Sequence, residues 1–544
     1  MKIALAQLNY HIGNFASNTD AIIDYIKKAK ALRADIIVFS ELCVCGYPPN
    51  DLLSFSTFID DCQSAVEKIA SHAHDIAIII GAPEPNPDIK GKPLYNTAYF
   101  ITDGKVTHKS FKALLPDYDV FDEFRFFEPA KSFNIIDFKG KKIALTICED
   151  LWNIGNEGLY NICPMDILAA QNADLIINIA ASPFDYTQEE KRNGILKANV
   201  LKYKIPLIYV NQVGAQTSLI FDGGSKVLDG SGHIIENCHF FKEDFRVVNL
   251  KDFQKSFLHD SSIGSYSTIA KIHDALVLGI KDYYVKSGLK KAILGLSGGI
   301  DSAVTLVLAV KALGAGQVMS LLMPSEFSSD HSINDAVTLA NNLGSPYEIL
   351  AVSDIFKAAN KTLEKVFMGK SFDLAEENLQ ARIRALLLMA YSNKFGNVLL
   401  NTSNKSEAAV GYGTLYGDMC GAISVLGDVY KTQVYQLAEY INKDSEVIPI
   451  NTILKAPSAE LKFDQKDSDS LPEYEILDKI LFEYIENALT TKQIVGLGYD
   501  EVLVRRIIRL VNINEFKRFQ CPPILRVSPK AFGNGRQIPI VAKY

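Results

Sequence analysis

Leu294-Gly295-Leu296-Ser297-Gly298-Gly299-Ile300-Asp301-Ser302 takes an apolar run straight into a glycine-rich turn and then into a helical pattern. Backbone N–H groups of such a turn, with the free amides of the first helical turn, form a concave donor surface that favours an anion. The lysine of the common phosphate loop is missing, because G-x-x-x-x-G-K-[ST] cannot be laid over the stretch. Around it the chain alternates. Apolar runs at Ala292 to Leu296, Gln317 to Met323 and Tyr347 to Val352 are separated by helical patterns from Ser302 to about Leu313 and near Asp330 to Leu343. Repetition at this spacing predicts right-handed βαβ units in a doubly wound parallel sheet, whose ligands sit beyond the carboxyl ends of the strands. The turn at Ser297 lies at such an end. Gly314-Ala315-Gly316 follows a helix and precedes a strand, the wrong context for a dinucleotide fingerprint.

A chain of 544 residues is too long for one core. Its first part carries short β-rich runs at Lys2 to Leu8, Asp35 to Phe39, Ala77 to Ile80, Lys142 to Ile147, Asp174 to Ala180 and Leu207 to Val210. Between them, residues 19–33 place Ile22, Ile23, Ile26 and Ala29 at helical spacing. Residues 1–250 therefore read as a layered α/β domain. The polar, serine-bearing stretch 251–268 reads as a linker, and residues 269–544 as a second domain. Residues 463–472, acidic and polar, are expected to form an exposed or disordered loop.

Composition narrows the class. Apolar residues make up 48% and charged residues 22%, within the range of soluble globular chains. No run of eighteen apolar residues appears, so no membrane span is expected. The start enters a strand pattern without a charged leader, which predicts a cytoplasmic address. Eight cysteines occur without a C-x-x-C, which predicts free thiols rather than disulfides or zinc. Cys43 and Cys45 form a C-x-C with no histidine or second thiol pair nearby, so packing is the expected role. Net charge is −7 and no dense Lys/Arg stripe stands out, which excludes a dedicated nucleic-acid binder. A small anionic substrate needs only a few local cations.

Three residues of the first domain border β-runs: Glu41 after IIVFS, Lys112 in SFKALLPDY and Cys148 in LTICED. A thiol at its ordinary pKa is scarcely ionised at neutral pH, so a carboxylate that accepts its proton makes it a nucleophile. A lysine ammonium can then steady the oxyanion on the attacked carbonyl. The segments FSELCVCGYPPNDLL, FKALLPDYDVFDEFRFFEP and IALTICEDLW, in this order and spacing, resemble the nitrilase (carbon–nitrogen hydrolase) superfamily. That resemblance implies an αββα sandwich with Glu41 as general base, Lys112 as oxyanion-stabilising lysine and Cys148 as nucleophile. It also implies that Tyr118, Ser182 and Gln188 line the substrate amide pocket, Gln188 standing where a lysine is more usual. Glu123 fits the second carboxylate that some members use beside the triad.

In the second domain, S-G-G-x-D-S resembles the signature of the ATP pyrophosphatases, which hold the pyrophosphate of ATP while AMP is transferred. Downstream, Asn401-Thr402-Ser403-Asn404-Lys405-Ser406-Glu407 follows an apolar run, and an acidic residue at a strand end near a phosphate site suits Mg²⁺. Asp301 can supply a second carboxylate. Asp428 to Thr432, Lys455 to Leu461 and Glu515 to Pro523 each match segments of the NAD synthetases, in order. Nearly the whole chain thus resembles the glutamine-dependent NAD⁺ synthetase family. The resemblance implies that the loop Gly295 to Ser302, Thr402, Lys431 and Ser458 contact ATP, and that Asp301 and Glu407 hold Mg²⁺. Asn378, Arg382, Glu407 and Lys517 would lie near deamido-NAD⁺. Phe519 departs from the family's K-R-R-Q pattern, where a second arginine would stand. The implied reaction is ATP-dependent amidation of deamido-NAD⁺ to NAD⁺, giving AMP and pyrophosphate, with ammonia from glutamine and a homo-oligomeric enzyme. A GMP synthetase would share the loop at Ser297 but pairs it with a Cys-His-Glu glutaminase. A non-catalytic nucleotide sensor would share the fold, yet every expected catalytic position is filled by a competent residue.

Overall fold

Ile3 to Ala6 and Ile36 to Val38 are buried at every position, so their strands must be covered on both faces. The computed structural model describes residues 1–543 apart from 89, 156–157, 255–265, 459, 463–466 and 468–470. It divides into two units, Met1–Ser265 and Tyr266–Tyr544.

In the first unit, β1 (Lys2–Gln7), β2 (Ile36–Val38), β3 (Ala77–Pro85), β4 (Leu94–Thr102) and β5 (Lys105–Phe111) build one sheet. β6 (Ile136–Phe138), β7 (Lys141–Ile147), β8 (Leu175–Ala180) and β9 (Leu207–Asn211) build most of another. β10 (Val213–Gln216) and β11 (Leu219–Asp222) form a hairpin, β12 (Lys226–Leu228) and β13 (Ile234–Asn237) complete the second sheet, and β14 (Asp244–Asn249) returns to the first. The sheet orders are β14-β1-β2-β3-β4-β5 and β13-β12-β9-β8-β7-β6. Each has a parallel centre, β1 to β3 or β7 to β9, with antiparallel flanks. Alternation decides the layers. Ile3, Leu5, Ile36 and Val38 share a core with Ile143, Leu145 and Ile177 of the second sheet. Ala4, Ala6 and Ile37 instead meet Ile22 and Ile26 of α1 (Phe15–Ala31) and Val66 and Ile69 of α2 (Ser56–Ala70). α3 (Pro164–Ala169) and α4 (Gln188–Tyr203) set Met165, Leu168, Leu196 and Val200 on the second sheet. This is the expected αββα sandwich.

The second unit opens with α5 (Thr268–Lys286), followed by β15 (Lys291–Gly295), α6 (Ile300–Leu313), β16 (Val318–Leu322), α7 (Asp330–Leu343) and β17 (Tyr347–Ile349). α8 (Ser353–Phe367) and α9 (Leu374–Phe395) lead to β18 (Asn397–Asn401), α10 (Lys405–Val410), β19 (Ile423–Ser424) and α11 (Lys431–Ile441). All four strand pairs are parallel, in the order β17-β16-β15-β18-β19. The chain therefore reverses its winding between β15 and β18. Such a switch point opens a crevice at the carboxyl ends of the two strands.

Two expectations need correction or restriction. Of the expected linker, residues 255–265 lie outside the described residues; Phe253 packs on the first unit's core and α5 already begins at Thr268. Within 463–472, residues 463–466 and 468–470 also lie outside them, but Asp467 and Leu471 are buried rather than exposed. Asp467 accepts from the Tyr412 and Tyr474 hydroxyls at 3.1 and 2.9 Å, and Leu471 joins an apolar cluster, so local polarity misjudged both. All eight cysteines are free, and Cys43 and Cys45 are buried in apolar clusters. No helix among the described residues is long and apolar enough to cross a membrane.

Candidate active sites

In the first unit, the ends of four strands converge. Glu41 lies just beyond β2, Lys112 follows β5 directly, Cys148 follows β7 directly and Ser182 follows β8 by one residue. The turn at Glu41 can press against β3 because residue 81 is glycine; a Cβ there would sit 2.3 Å from Leu42 N. Glu41, Lys112 and Glu123 are buried. Lys112 Nζ donates to Glu41 Oε1 at 2.7 Å and to Glu123 Oε1 at 2.8 Å. Asn96 Nδ2 donates to Glu41 Oε1 at 2.7 Å, and Ala181 N donates to Glu41 Oε2 at 2.9 Å. Tyr47 OH donates to Glu123 Oε1 at 2.9 Å. Two carboxylates thus share one ammonium out of water. Burial pushes Glu123 up to about 7, with Lys112 opposing and Glu41 adding to the rise. Lys112 is held well above its ordinary value, because the two carboxylates outweigh the burial that favours neutral amine.

Cys148 occupies the left-handed region, φ +41°, on a sharp turn from β7 into the short helix Cys148–Leu151. Burial pushes its thiol well above the ordinary value, the Glu41 charge adds to this and Lys112 opposes it. The resting group is therefore a thiol, and a base must take its proton as it attacks. Beside it, Glu149 Oε1 accepts from the Tyr118 and Tyr160 hydroxyls at 2.8 and 3.0 Å. Ser182 N donates to Asn211 Oδ1 at 2.9 Å, and Gln188 Nε2, on the first residue of α4, reaches Ser182 Oγ at 3.5 Å. The arrangement can deprotonate a thiol against a buried carboxylate and offer an ammonium to an adjacent oxyanion.

In the second unit, the turn after β15 and the segment after β18 flank the switch point. Gly298 takes φ +79°, and a Cβ on it would lie 2.3 Å from the Ser332 carbonyl oxygen of α7. Inside the turn, Ser302 Oγ accepts from Ser297 N at 3.2 Å and donates to Gly299 O at 3.0 Å. Gly299 caps α6 without a side-chain bond, which leaves the first helical amides available to an anion. Asn404 joins the two loops. Its Nδ2 donates to Asp301 Oδ1 at 2.9 Å, and its Oδ1 accepts from Glu407 N at 3.0 Å. Lys431 Nζ bonds Asp301 Oδ2 and lies 3.5 Å from Glu407 Oε1. Burial, and then the Asp301 charge, push Glu407 up to about 8 despite Lys431. Mg²⁺ prefers one or two carboxylates with the remaining oxygens from phosphate and water, which the pair Asp301 and Glu407 fits. No cluster of three or more metal-type side chains occurs among the described residues.

A carbon-nitrogen hydrolase family model matches residues 2–254, and an NAD synthase model matches residues 272–521. The glutamine-dependent NAD(+) synthetase of Synechocystis sp. is 42% identical over 100% of this chain and 99% of its own. The chain belongs to the glutamine-dependent NAD(+) synthetases. The namesake protein of Thermotoga maritima is 36% identical, over 100% of this chain and 99% of its own. Among solved structures, the family member from Acinetobacter baumannii in complex with ADP is 38% identical with a TM-score of 0.78, covering 99% of this chain and 98% of that one. The member from Cytophaga hutchinsonii, at 21% identity, has a TM-score of 0.85 over 100% of this chain and 98% of that one and shares the fold.

The fold brings some of the expected site residues of the second unit together and leaves others apart. Gly295, Leu296, Ser297, Gly299, Ile300, Asp301, Ser302, Thr402, Glu407, Lys431 and Ser458 all line one cleft of the second unit. Gly298 is not in its lining; its positive φ packs it against α7 instead. Asn378, Arg382 and Lys517 do not line this cleft either. Asn378 Oδ1 accepts from Thr414 Oγ1 at 2.6 Å, and Lys517 Nζ donates to the Gly411 and Gly413 carbonyls, both at 2.8 Å. Arg382 is exposed and donates to Leu415 O at 3.2 Å, whereas Arg384, half a turn on, lines the cleft. Phe519 is 63% exposed. Sequence reasoning missed Arg384, Asn404 and the buried Arg192–Asp222 pair, whose guanidinium meets both carboxylate oxygens at 3.1 and 2.6 Å. Asn404 was legible in principle, as an N-cap three residues before Glu407.

Proposed function

We propose that the chain makes NAD⁺ from deamido-NAD⁺ in two linked half-reactions, glutamine hydrolysis in the first unit and ATP-dependent amidation in the second. The buried Glu41–Lys112–Glu123 cluster beside the Cys148 thiol carries this reading, because a thiol, a carboxylate and an ammonium side by side are the groups that amide hydrolysis through a thioester needs. Glu41 takes the thiol proton as Sγ attacks the glutamine amide, and Lys112 steadies the oxyanion. Ammonia leaves, and water then hydrolyses the thioester. Tyr118, Ser182 and Gln188 bind the glutamine.

In the second unit, a carboxylate is a poor electrophile and must first gain a leaving group. The nicotinate carboxylate attacks the α-phosphate of ATP, pyrophosphate departs, and ammonia displaces AMP from the acyl adenylate. The loop Gly295 to Ser302, with Thr402, Lys431 and Ser458, holds ATP; Asn378, Arg382, Glu407 and Lys517 serve the dinucleotide. Asp301 and Glu407 would hold Mg²⁺, which neutralises phosphate charge when bound. Free ammonia is mostly ammonium at neutral pH, which gives a physical reason for carrying its source on the same chain.

The deciding experiment is Cys148→Ala, assayed with deamido-NAD⁺ and ATP and either glutamine or ammonium as nitrogen donor. Glutamine-driven NAD⁺ formation should collapse while ammonium-driven formation survives. Loss of both in a folded protein, or of neither, would refute the division of labour.

A further inference from the structure

Asp150 lies two residues past Cys148 and is buried. One of its oxygens accepts from the backbone N–H groups of Ala113 and Leu114, each at 3.0 Å. The other accepts from Ile147 N, also at 3.0 Å. Two of these amides directly follow Lys112 and the third directly precedes Cys148. One carboxylate therefore joins the segment that bears the ammonium to the turn that bears the thiol, although 37 and 36 residues separate Ala113 and Leu114 from it in the chain. Burial pushes the Asp150 carboxyl up to about 6, and its three N–H bonds pull the other way. A buried carboxylate that accepts from three backbone amides is a demanding way to stabilise a fold. At this place it has a geometric use. The left-handed backbone at Cys148 persists only where its surroundings over-determine it, and the bond to Ile147 N is one such restraint.

We propose that Asp150 is a positioning residue that clamps the Lys112 segment to the Cys148 turn and thereby sets the place of the ammonium relative to the attacked carbonyl. This rests on the reading of Lys112 as the oxyanion donor. Because that oxyanion exists only after attack, a loosened clamp weakens the transition state more than glutamine binding. A displacement of about 1 Å in such a donor costs on the order of 100-fold in rate.

The test uses the full chain with Asp150→Asn and Asp150→Ala. Asparagine keeps the shape but turns one acceptor oxygen into an NH₂ group, which opens one end of the clamp; alanine opens both. Glutamine hydrolysis should lose about 10-fold in kcat in Asp150→Asn and about 100-fold in Asp150→Ala, with KM within about threefold. Alkylation of Cys148 by iodoacetamide builds no oxyanion, and its rate should stay within about threefold of the parent. An unchanged kcat, a change in KM instead, or a parallel fall of kcat and alkylation rate would each overturn the proposal. Should Asp150→Ala fail to fold, the isosteric Asp150→Asn decides alone. Cys148→Ala run alongside separates the two failures. If it retains glutamine-driven synthesis, the nucleophile is wrong; if it loses it while both Asp150 variants keep their kcat, only the clamp is wrong.

Discussion

Replacing Gly298 by alanine should disable the synthetase unit without unfolding it. Two penalties can be read from the structure. At φ +79° an L residue costs roughly 1–3 kcal/mol. The new Cβ would also stand 2.3 Å from Ser332 O, against 3.4 Å or more for an ordinary contact. Ser332 O is backbone in the first turn of α7 and cannot swing aside. The phosphate turn must then move by roughly 1 Å, which for a group that positions a reacting phosphate costs on the order of 100-fold in rate. The strain is small beside a total stability of about 5–15 kcal/mol, so the unit stays folded. Its melting temperature should fall by roughly 2–4 °C for each kcal/mol of strain. The assay is ammonium-driven NAD⁺ formation, with glutamate release from glutamine as a reading of the first unit. Gly299→Ala is the contrast. Gly299 has φ −85°, and among the described residues its Cβ would meet Ser297 Oγ, at 3.3 Å, so the melting temperature should hardly move. Parent-like synthesis by Gly298→Ala, or a greater loss of stability in Gly299→Ala, would refute this account of the loop.

Asp301→Asn should abolish NAD⁺ formation from glutamine and ammonium alike; activity from either donor would remove Asp301 from the magnesium role. Glu123, raised in the fold from 4.5 to about 7, weighs against stability once ionised. Its contribution is intact below about pH 4.5 and is lost as pH rises through about 7, so Glu123→Gln should flatten the pH dependence of unfolding in that window. An unchanged slope would show that Glu123 is ionised throughout. Arg192→Met strands the buried Asp222 carboxylate and should destabilise the first unit by about 3–5 kcal/mol in chemical denaturation. A loss below about 1 kcal/mol, the level of a surface pair, would mean that water reaches Asp222.

The central strands were legible because their residues are apolar almost without interruption, as in LIINIA of β8, and they border glycine, proline or polar turns. β5, KVTHKSF, was legible only as a β-run beside Lys112, because its half-exposed residues carry no run of apolar side chains that would fix its extent. α8 escaped for a related reason: Phe356 is its one buried residue, so little of its pattern reports a core. Among site residues, Glu41, Lys112, Cys148 and the loop at Ser297 stand in short motifs that local reading detects. Asp150, Arg192 and Asn404 act on partners 30 or more residues away, and nothing beside them in the chain names those partners.

By itself the sequence determined the two-domain plan, the layer type of each domain and the chemistry offered, because strand burial, turn glycines and nucleophile type are local properties. Tertiary structure decided which groups share an environment. The switch between β15 and β18 brings Asp301 and Glu407 to one lysine, and burial beside Lys112 sets Glu123 apart from an ordinary surface carboxylate. Proximity and dielectric belong to the folded chain, since both depend on residues far apart in sequence.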